Sequence, residues 1–205
     1  MKQLIEHLTN LFGRFPGIGP RQAKRFVYFL LGQDDLEIDA LISALNRLKH
    51  NRGQCRSCYR FFANGGGEVC DLCTPTSGRD DTQLLVIEKD IDLENILKTG
   101  AYQGYFFVLG GNLPILEPQP ETQIRLRELT TLIHERKTTL TEMILALSAT
   151  TEGDHTAEYL KTYITSLPEA KNIKTSLLGR GLSTGSELEY ADAETLKSAL
   201  KNRSI

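Results

Sequence analysis

Between residues 55 and 73 the chain reads Cys55-Arg56-Ser57-Cys58, then eleven further residues, then Cys70-Asp71-Leu72-Cys73. These four cysteines are the only ones among its 205 residues. Two thiolates with two residues between them can point at one centre, and two such pairs complete a tetrahedral zinc site. We therefore predict that the four cysteines hold one structural Zn²⁺ per chain, because a closed set of protein ligands leaves no position for a substrate.

Two other uses of these cysteines stay open at this point. A pair of disulfides would require an oxidising compartment, and the N-terminal residues show an amphipathic pattern rather than a signal peptide. Four unrelated core thiols would not be expected in two closely spaced pairs. Between the pairs, Gly65-Gly66-Gly67 is expected to form a flexible return, because glycine tolerates backbone angles that other residues do not.

Charge changes sign along the chain. Residues 1–60 contain ten Lys and Arg against five Asp and Glu, a net charge of +5, whereas residues 61–205 contain fourteen against twenty-one, a net charge of −7. A basic end predicts contact with nucleic acid, although chance scatter of charge on a solvated surface would give the same pattern. No apolar run approaches the length of a membrane span, so we expect a soluble intracellular protein.

A tight turn between two helices is predicted at Gly17-Ile18-Gly19, after an apolar helical stripe in residues 3–12. The next helix begins near Pro20, and its outer face carries Arg21, Lys24 and Arg25. Backbone N–H groups at the turn and the helix dipole favour an anion there. This pattern resembles a helix-hairpin-helix motif, which binds DNA backbone phosphates without reading sequence; an ordinary helical turn with exposed basic residues is the alternative. A third helix over 39–50 is expected to pack on the first two.

From residue 84 the sequence alternates between strand and helix patterns. We predict strands at 84–87, 105–109, 143–147 and 172–178, helices at 90–98 and 122–137, and a further helix after Asp154. This βαβ succession implies a right-handed, mostly parallel sheet.

Acidic residues follow two of these strands: Glu88 after the first, and Glu152 and Asp154 after the third. Side chains at the carboxyl ends of parallel strands gather at one functional edge, where carboxylates can hold Mg²⁺. The layout resembles a Toprim domain, the metal-binding module of topoisomerases and primases. The expected later Asp-x-Asp is Glu152-Gly153-Asp154 here, and no catalytic tyrosine context is present. We therefore assign no catalytic residue and expect any Mg²⁺ bound there to be non-catalytic. The alternative to a shared site is that these acids are simply solvated in the loops that follow the strands.

Taken together, these parts resemble the RecR family of bacterial recombination mediators from about residue 8 to the end. The stretches that carry the resemblance are Phe15–Pro20, the four cysteines, Leu85–Glu88, Thr99–Gly111, Thr151–Leu160 and Arg180–Asp192. The resemblance implies an α+β multidomain fold. Its parts would be a helix-hairpin-helix DNA-binding domain (1–53), a four-cysteine zinc finger (54–76), an α/β Toprim domain (77–178) and a C-terminal helical oligomerisation segment (179–205).

Family membership implies a non-catalytic, cytoplasmic, nucleoid-associated protein that binds gapped or double-stranded DNA as a dimer or tetramer. With a RecO-like partner, and in many bacteria a RecF-like one, such a protein helps to load RecA during gap repair. We expect the three acids to attract a basic surface of the RecO-like partner. The alternative is a Mg²⁺-dependent nuclease or primase-like enzyme that uses the same acids. The chain departs from the family at Ser148-Ala149, usually Asn-Pro, at Ser183, usually Pro, and in a shorter loop after Gly111.

Overall fold

The computed structural model describes residues 1–63, 67–115, 119–182, 185 and 187–202. Gly65 and Gly66 of the predicted glycine return, Ser183 and part of the short loop after Gly111 lie outside the described residues. The chain divides into two compact units, Met1–Arg52 and Gly53–Ile205. Within the described residues, no helix has the length and apolar character needed to cross a membrane.

The first unit consists of three helices: α1 (Lys2–Phe12), α2 (Pro20–Leu31) and α3 (Asp35–Asn51). Helices α1 and α2 pack together, and the ring of Phe12 lies 6.0 Å from that of Phe15 and 5.8 Å from that of Phe26. Ala23 and Val27 on α2 are fully buried. The two-helix hairpin therefore has a small core of its own.

Helix α3 forms as predicted but does not pack as predicted. Its N-terminus is capped by Asp34, whose carboxylate accepts a hydrogen bond of 2.9 Å from the Glu37 N–H. None of its residues is buried, and Leu45 and Leu48 are 55% and 64% exposed. The expectation that α3 covers α1 and α2 is therefore wrong for this chain in isolation. Helical periodicity specifies an apolar face, but it does not specify which surface covers that face.

The second unit begins with a short ribbon of two strands, β1 (Arg52–Gln54) and β2 (Phe61–Ala63), which brackets the first cysteine pair. A four-stranded sheet follows, made of β3 (Asp80–Ile87), β4 (Gly104–Val108), β5 (Glu142–Ala146) and β6 (Lys174–Leu177). The strand order is β4-β3-β5-β6, and every pairing is parallel. The predicted α+β fold with its parallel sheet is confirmed.

Helices cover both faces of this sheet. Their bounds are α4 (Asp90–Thr99), α5 (Pro120–Gln123), α6 (Leu126–Glu135) and α7 (Thr151–Ser166), and a last helix, α8 (Ala193–Lys201), follows the sheet. Alternation along β3 sends Leu84 into the core that α6 and α7 close, and Leu85 into the smaller core beside α4. Both faces of β3 are therefore buried, as expected of a parallel strand.

The predicted helix at 122–137 is interrupted at its start. Ile124 separates α5 from α6 with extended backbone angles (φ −132°, ψ 161°), and its side chain is buried in the main core. The N–H of Arg125 donates to the carbonyl of Leu109 at 2.9 Å instead of entering a helical ladder. The prediction of one continuous helix was wrong because the backbone here bonds to the end of β4, a contact that periodicity does not show.

Candidate functional site

Cys55, Cys58, Cys70 and Cys73 come together in one cluster. Their sulfur atoms all lie within 4.8 Å of one another, and the Sγ atoms of Cys58 and Cys70 are 3.6 Å apart. A tetrahedral zinc with Zn–S bonds of about 2.3 Å requires sulfurs roughly 3.8 Å apart. Within the described part of the chain, this is the only group of three or more His, Cys, Asp or Glu that meets this distance limit.

Two backbone N–H groups support a thiolate at Cys55. The N–H groups of Cys58 and Cys70 point at the sulfur of Cys55, at 3.5 and 3.3 Å. Hydrogen bonds among the four sulfurs, led by the one from the Cys58 thiol to Cys55, lower the pKa of Cys55 and raise that of Cys58. All four thiols are free, and 3.6 Å is far beyond a disulfide bond length of about 2.05 Å. The donor set therefore fits a metal ion rather than a pair of disulfides.

The cysteine cluster is tied to the edge of the sheet. The carbonyl of Cys58 accepts a hydrogen bond of 2.8 Å from the Val108 N–H at the end of β4. The ring of Tyr59 lies edge-on to that of Phe107, with centroids 5.4 Å apart. The carboxylate of Asp90, at the start of α4, accepts from the Phe61 N–H at 2.7 Å. These contacts join the cysteine cluster to the edge strand β4 and to the start of α4.

The predicted hairpin lies between α1 and α2. Gly17 has φ +75°, a left-handed conformation that favours glycine, and the N–H of Ile18 closes the turn on the carbonyl of Phe15 at 3.1 Å. Gly19 precedes α2 as its N-cap residue, so the first N–H groups of α2 have no carbonyl partner within the helix. This turn presents the positive end of a helix dipole to its surroundings.

Arg21, Lys24 and Arg25 are all exposed on the first turns of α2. Positions three and four apart share one helix face, so the three charges form a single basic surface beside the turn. Arg25 also donates a long hydrogen bond of 3.4 Å to the Gln22 side chain. The arrangement provides cations and free N–H groups for an anion.

Glu88 lies directly after β3 and is only 4% exposed. Ser148 Oγ donates to Glu88 Oε2 at 2.5 Å, and Lys89 Nζ lies 2.5 Å from Oε1. Burial, the largest single influence, acts to raise the pKa of Glu88, but hydrogen bonds from Lys89, Ser148 and Asn112 together hold this pKa below its usual value. The carboxylate is therefore charged and turned inward.

Glu152 and Asp154 lie within the first turn of α7, not in the loop before it. Asp154 forms two hydrogen bonds with the guanidinium of Arg180, and these lower the pKa of its carboxyl group. Glu152 is exposed, and among the described residues its carboxylate has no hydrogen bond or ion pair, although it interacts at longer range with the charge of Lys89. The three acids thus share one edge of the sheet, but only Glu152 presents an unpaired charge.

Sequence reasoning missed two of the groups that pair with the acids at this edge. Ser148 was noted only as a departure from the family, and Arg180 only as the start of a characteristic stretch. The available signals were the hydroxyl of Ser148, where Asn-Pro is usual, and the arginine at position 180, soon after the last strand. Neither indicates a partner sixty or twenty-six residues away along the chain.

Known protein families match the domains described above. Three family models match: "RecR, helix-hairpin-helix" over residues 1–49, "Toprim domain" over 82–177 and "RecR, C-terminal" over 181–204. These matches define a DNA-recombination class of protein that combines a hairpin of helices with a Toprim sheet.

Full-length relatives then give the family. Recombination protein RecR of Chloroflexus aggregans is 36% identical over 97% of this chain and 92% of its own length. The proteins of the same name from Dehalococcoides mccartyi and Lactobacillus helveticus are 34% and 33% identical, over 97% of this chain and 93% and 96% of their own lengths. The chain belongs to the RecR family.

Proposed function

We propose that this protein is a non-catalytic recombination mediator that binds DNA backbones as an oligomer during gap repair. The observation that carries the proposal is the basic surface of Arg21, Lys24 and Arg25 beside the Gly17–Gly19 turn. Exposed cations and unpaired N–H groups at a helix start bind phosphates and carry no sequence information. We propose the same division as the sequence predicts: DNA-binding (1–53), zinc finger (54–76), Toprim (77–178) and oligomerisation segment (179–205).

The test is a double variant, Arg21→Ala with Arg25→Ala, titrated with gapped and intact duplexes at several salt concentrations. Affinity should fall for all DNA sequences alike. The slope of log K against log salt concentration should become shallower by the equivalent of about two phosphate contacts. A matched control is Arg127→Ala with Lys137→Ala, which removes the same charge from exposed positions at the start of α6 and just after its end. Equal losses in both double variants would contradict a hairpin site.

We propose that the metal is Zn²⁺ and that its role is structural. Four thiolates close the coordination shell, and the link from Cys58 to Val108 couples the bound ion to the edge of the sheet. When bound, zinc supplies folding free energy and no chemistry. Elemental analysis of protein purified without chelator should give one zinc per chain.

Self-association is supported by α3. Its apolar positions Leu41, Ile42, Leu45 and Leu48 are all exposed. We propose that a second copy covers this face, giving a dimer or, with the C-terminal segment, a tetramer. Leu45→Glu should lower the mass measured by light scattering, whereas Ile91→Glu, at an equally exposed apolar position on α4, should not. Unchanged mass in Leu45→Glu would contradict this interface.

We further propose that Glu152 recruits a basic partner, a RecO-like protein, acting with a RecF-like protein where one is present, and so promotes RecA loading. Its unpaired carboxylate supports this, because exposed charges steer complementary surfaces together. Glu152→Lys should weaken partner binding and leave DNA affinity equal or slightly higher. DNA binding would also place the protein at the nucleoid.

The competing hypothesis is a Mg²⁺-dependent nuclease or primase that uses Glu88, Glu152 and Asp154. Such a site needs carboxylates that are available to the metal. Here Glu88 is paired with Lys89 and Ser148, and Asp154 with Arg180, so cations and a hydroxyl of the protein already occupy two of the three. Mg²⁺-dependent cleavage or synthesis on gapped DNA that Glu152→Lys abolishes would overturn the mediator proposal.

A further inference from the structure

The buried carboxylate of Glu88 joins three separate segments of the second unit. Lys89 follows β3, Asn112 lies in the loop after β4, and Ser148 lies in the loop after β5. Burial of a charged group is costly unless it is paired, and removing one partner leaves an uncompensated buried charge. The group is therefore placed to fix the loops at the sheet edge relative to each other.

From Ser148 the contacts lead directly to the start of α7. The carbonyl of Ser148 accepts a hydrogen bond of 2.9 Å from the Thr150 N–H. Thr150 in turn caps α7: its hydroxyl accepts from the Gly153 N–H at 3.1 Å and its carbonyl from the Asp154 N–H at 2.8 Å. Gly153 packs so closely on the Ser148 carbonyl that a Cβ there would overlap it. The first turn of α7 thus rests on the residue that Glu88 holds.

Glu152 belongs to that turn, and its carboxylate is the unpaired one at this edge. We propose that Glu88 is a positioning residue, which holds Ser148 and the first turn of α7 and so fixes where Glu152 meets a basic partner. The inference deepens the proposed partner site and rests on it. Glu88 itself, at 4% exposure, does not contact the partner.

The first test uses the protein alone and follows amide hydrogen exchange at Thr150, Gly153 and Asp154. In Glu88→Gln these amides should exchange about tenfold faster, which is the loss of one hydrogen bond to a charged group. Ser148→Ala removes the same contact from the other side and should act in the same direction. Ser148→Ala therefore still tests the contact between Glu88 and Ser148 if Glu88→Gln does not fold.

The chain offers a matched control at the opposite end of the sheet. Glu142, at the start of β5, also accepts a hydrogen bond from a serine, Ser176 at 2.9 Å, and also pairs with a lysine, Lys174 at 3.3 Å. Glu142→Gln should leave exchange at the start of α7 unchanged. Equal exchange in Glu88→Gln and the wild type, or an equal effect of Glu142→Gln, would overturn the positioning role.

The second test measures affinity for the RecO-like protein encoded by the same genome, in Glu88→Gln, Glu152→Gln and the double variant. Each single change should weaken binding, and the double variant should bind no more weakly than Glu152→Gln, because Glu88 acts through Glu152. Fully additive losses would overturn the inference. Unchanged affinity in Glu152→Gln would instead overturn the proposed partner site, while the exchange measurement still decides whether Glu88 holds the turn.

Discussion

The two units of the chain, Met1–Arg52 and Gly53–Ile205, bury their apolar residues to very different extents. In the first unit only Ala23 and Val27 are buried, and neither α1 nor α3 has a buried residue. In the second unit both faces of the sheet carry a continuous core, which includes Phe107, Leu129 and Leu160. Several apolar residues of the first unit, such as Leu45 and Leu48 on α3, remain exposed.

This difference indicates how each unit is stabilised. Buried apolar area is the main favourable term in folding, so the sheet unit contains its own source of stability, supplemented by the metal site. The helical unit leaves the apolar positions of α3 exposed, and we propose that a second copy of the chain stabilises it by covering them.

Loss of one zinc ligand should have the largest effect, confined to the second unit. Cys70→Ser should reduce bound zinc from one per chain to none and lower the free energy of unfolding by more than about 4 kcal/mol. Amide exchange should rise at Val108, which bonds to Cys58, and stay unchanged along α2. Ser57→Ala, between the first two cysteines, is the control. Retention of stoichiometric zinc in Cys70→Ser would show that other groups hold the metal.

The same amino acid should matter differently in the two units. Phe107→Ala empties a fully buried site in β4 and should cost about 3–5 kcal/mol in urea unfolding followed by circular dichroism. Phe29→Ala, on α2 and 64% exposed, should change the stability of the monomer by less than about 0.5 kcal/mol. Comparable losses in the two variants at high dilution would mean that the first unit is not the weakly packed one.

A methyl group at Gly153 should disturb the start of α7. Its Cβ would overlap the Ser148 carbonyl, so Gly153→Ala should cost about 1–3 kcal/mol through overpacking. Gly179→Ala, where a Cβ meets nothing within 4 Å, is the matched control and should be neutral by thermal unfolding. A neutral Gly153→Ala would show that the turn adjusts freely.

Acidification should affect the second unit through Glu88. Its folded-state pKa is below that of the unfolded chain, about 4.3, so its stabilisation is complete above that pH and is lost as pH falls through the folded-state value. Unfolding midpoints measured across this range should fall more steeply for the wild type than for Glu88→Gln. Parallel curves would mean that Glu88 is equally acidic in both states.

Several features were predictable because they depend on neighbours in sequence. The cysteine pairs, the Gly17–Gly19 turn and the order of strands and helices in the second unit follow from spacing, glycine geometry and hydrophobic periodicity. Ile124 shows the limit of that approach. Its spacing fits a helix, but a backbone bond to the end of β4 holds it extended.

The sequence by itself determined which residues have the right chemistry: four thiols for a metal, three cations beside a helical turn, and three carboxylates after two strands. Only the tertiary structure decided which of these charges remain available. It buries Glu88 against Ser148, pairs Asp154 with Arg180 and leaves Glu152 unpaired. The reason is physical: ionisation and hydrogen bonding depend on distances through space. Those distances are set by the way β3, β5 and the segment after β6 come together in the folded sheet.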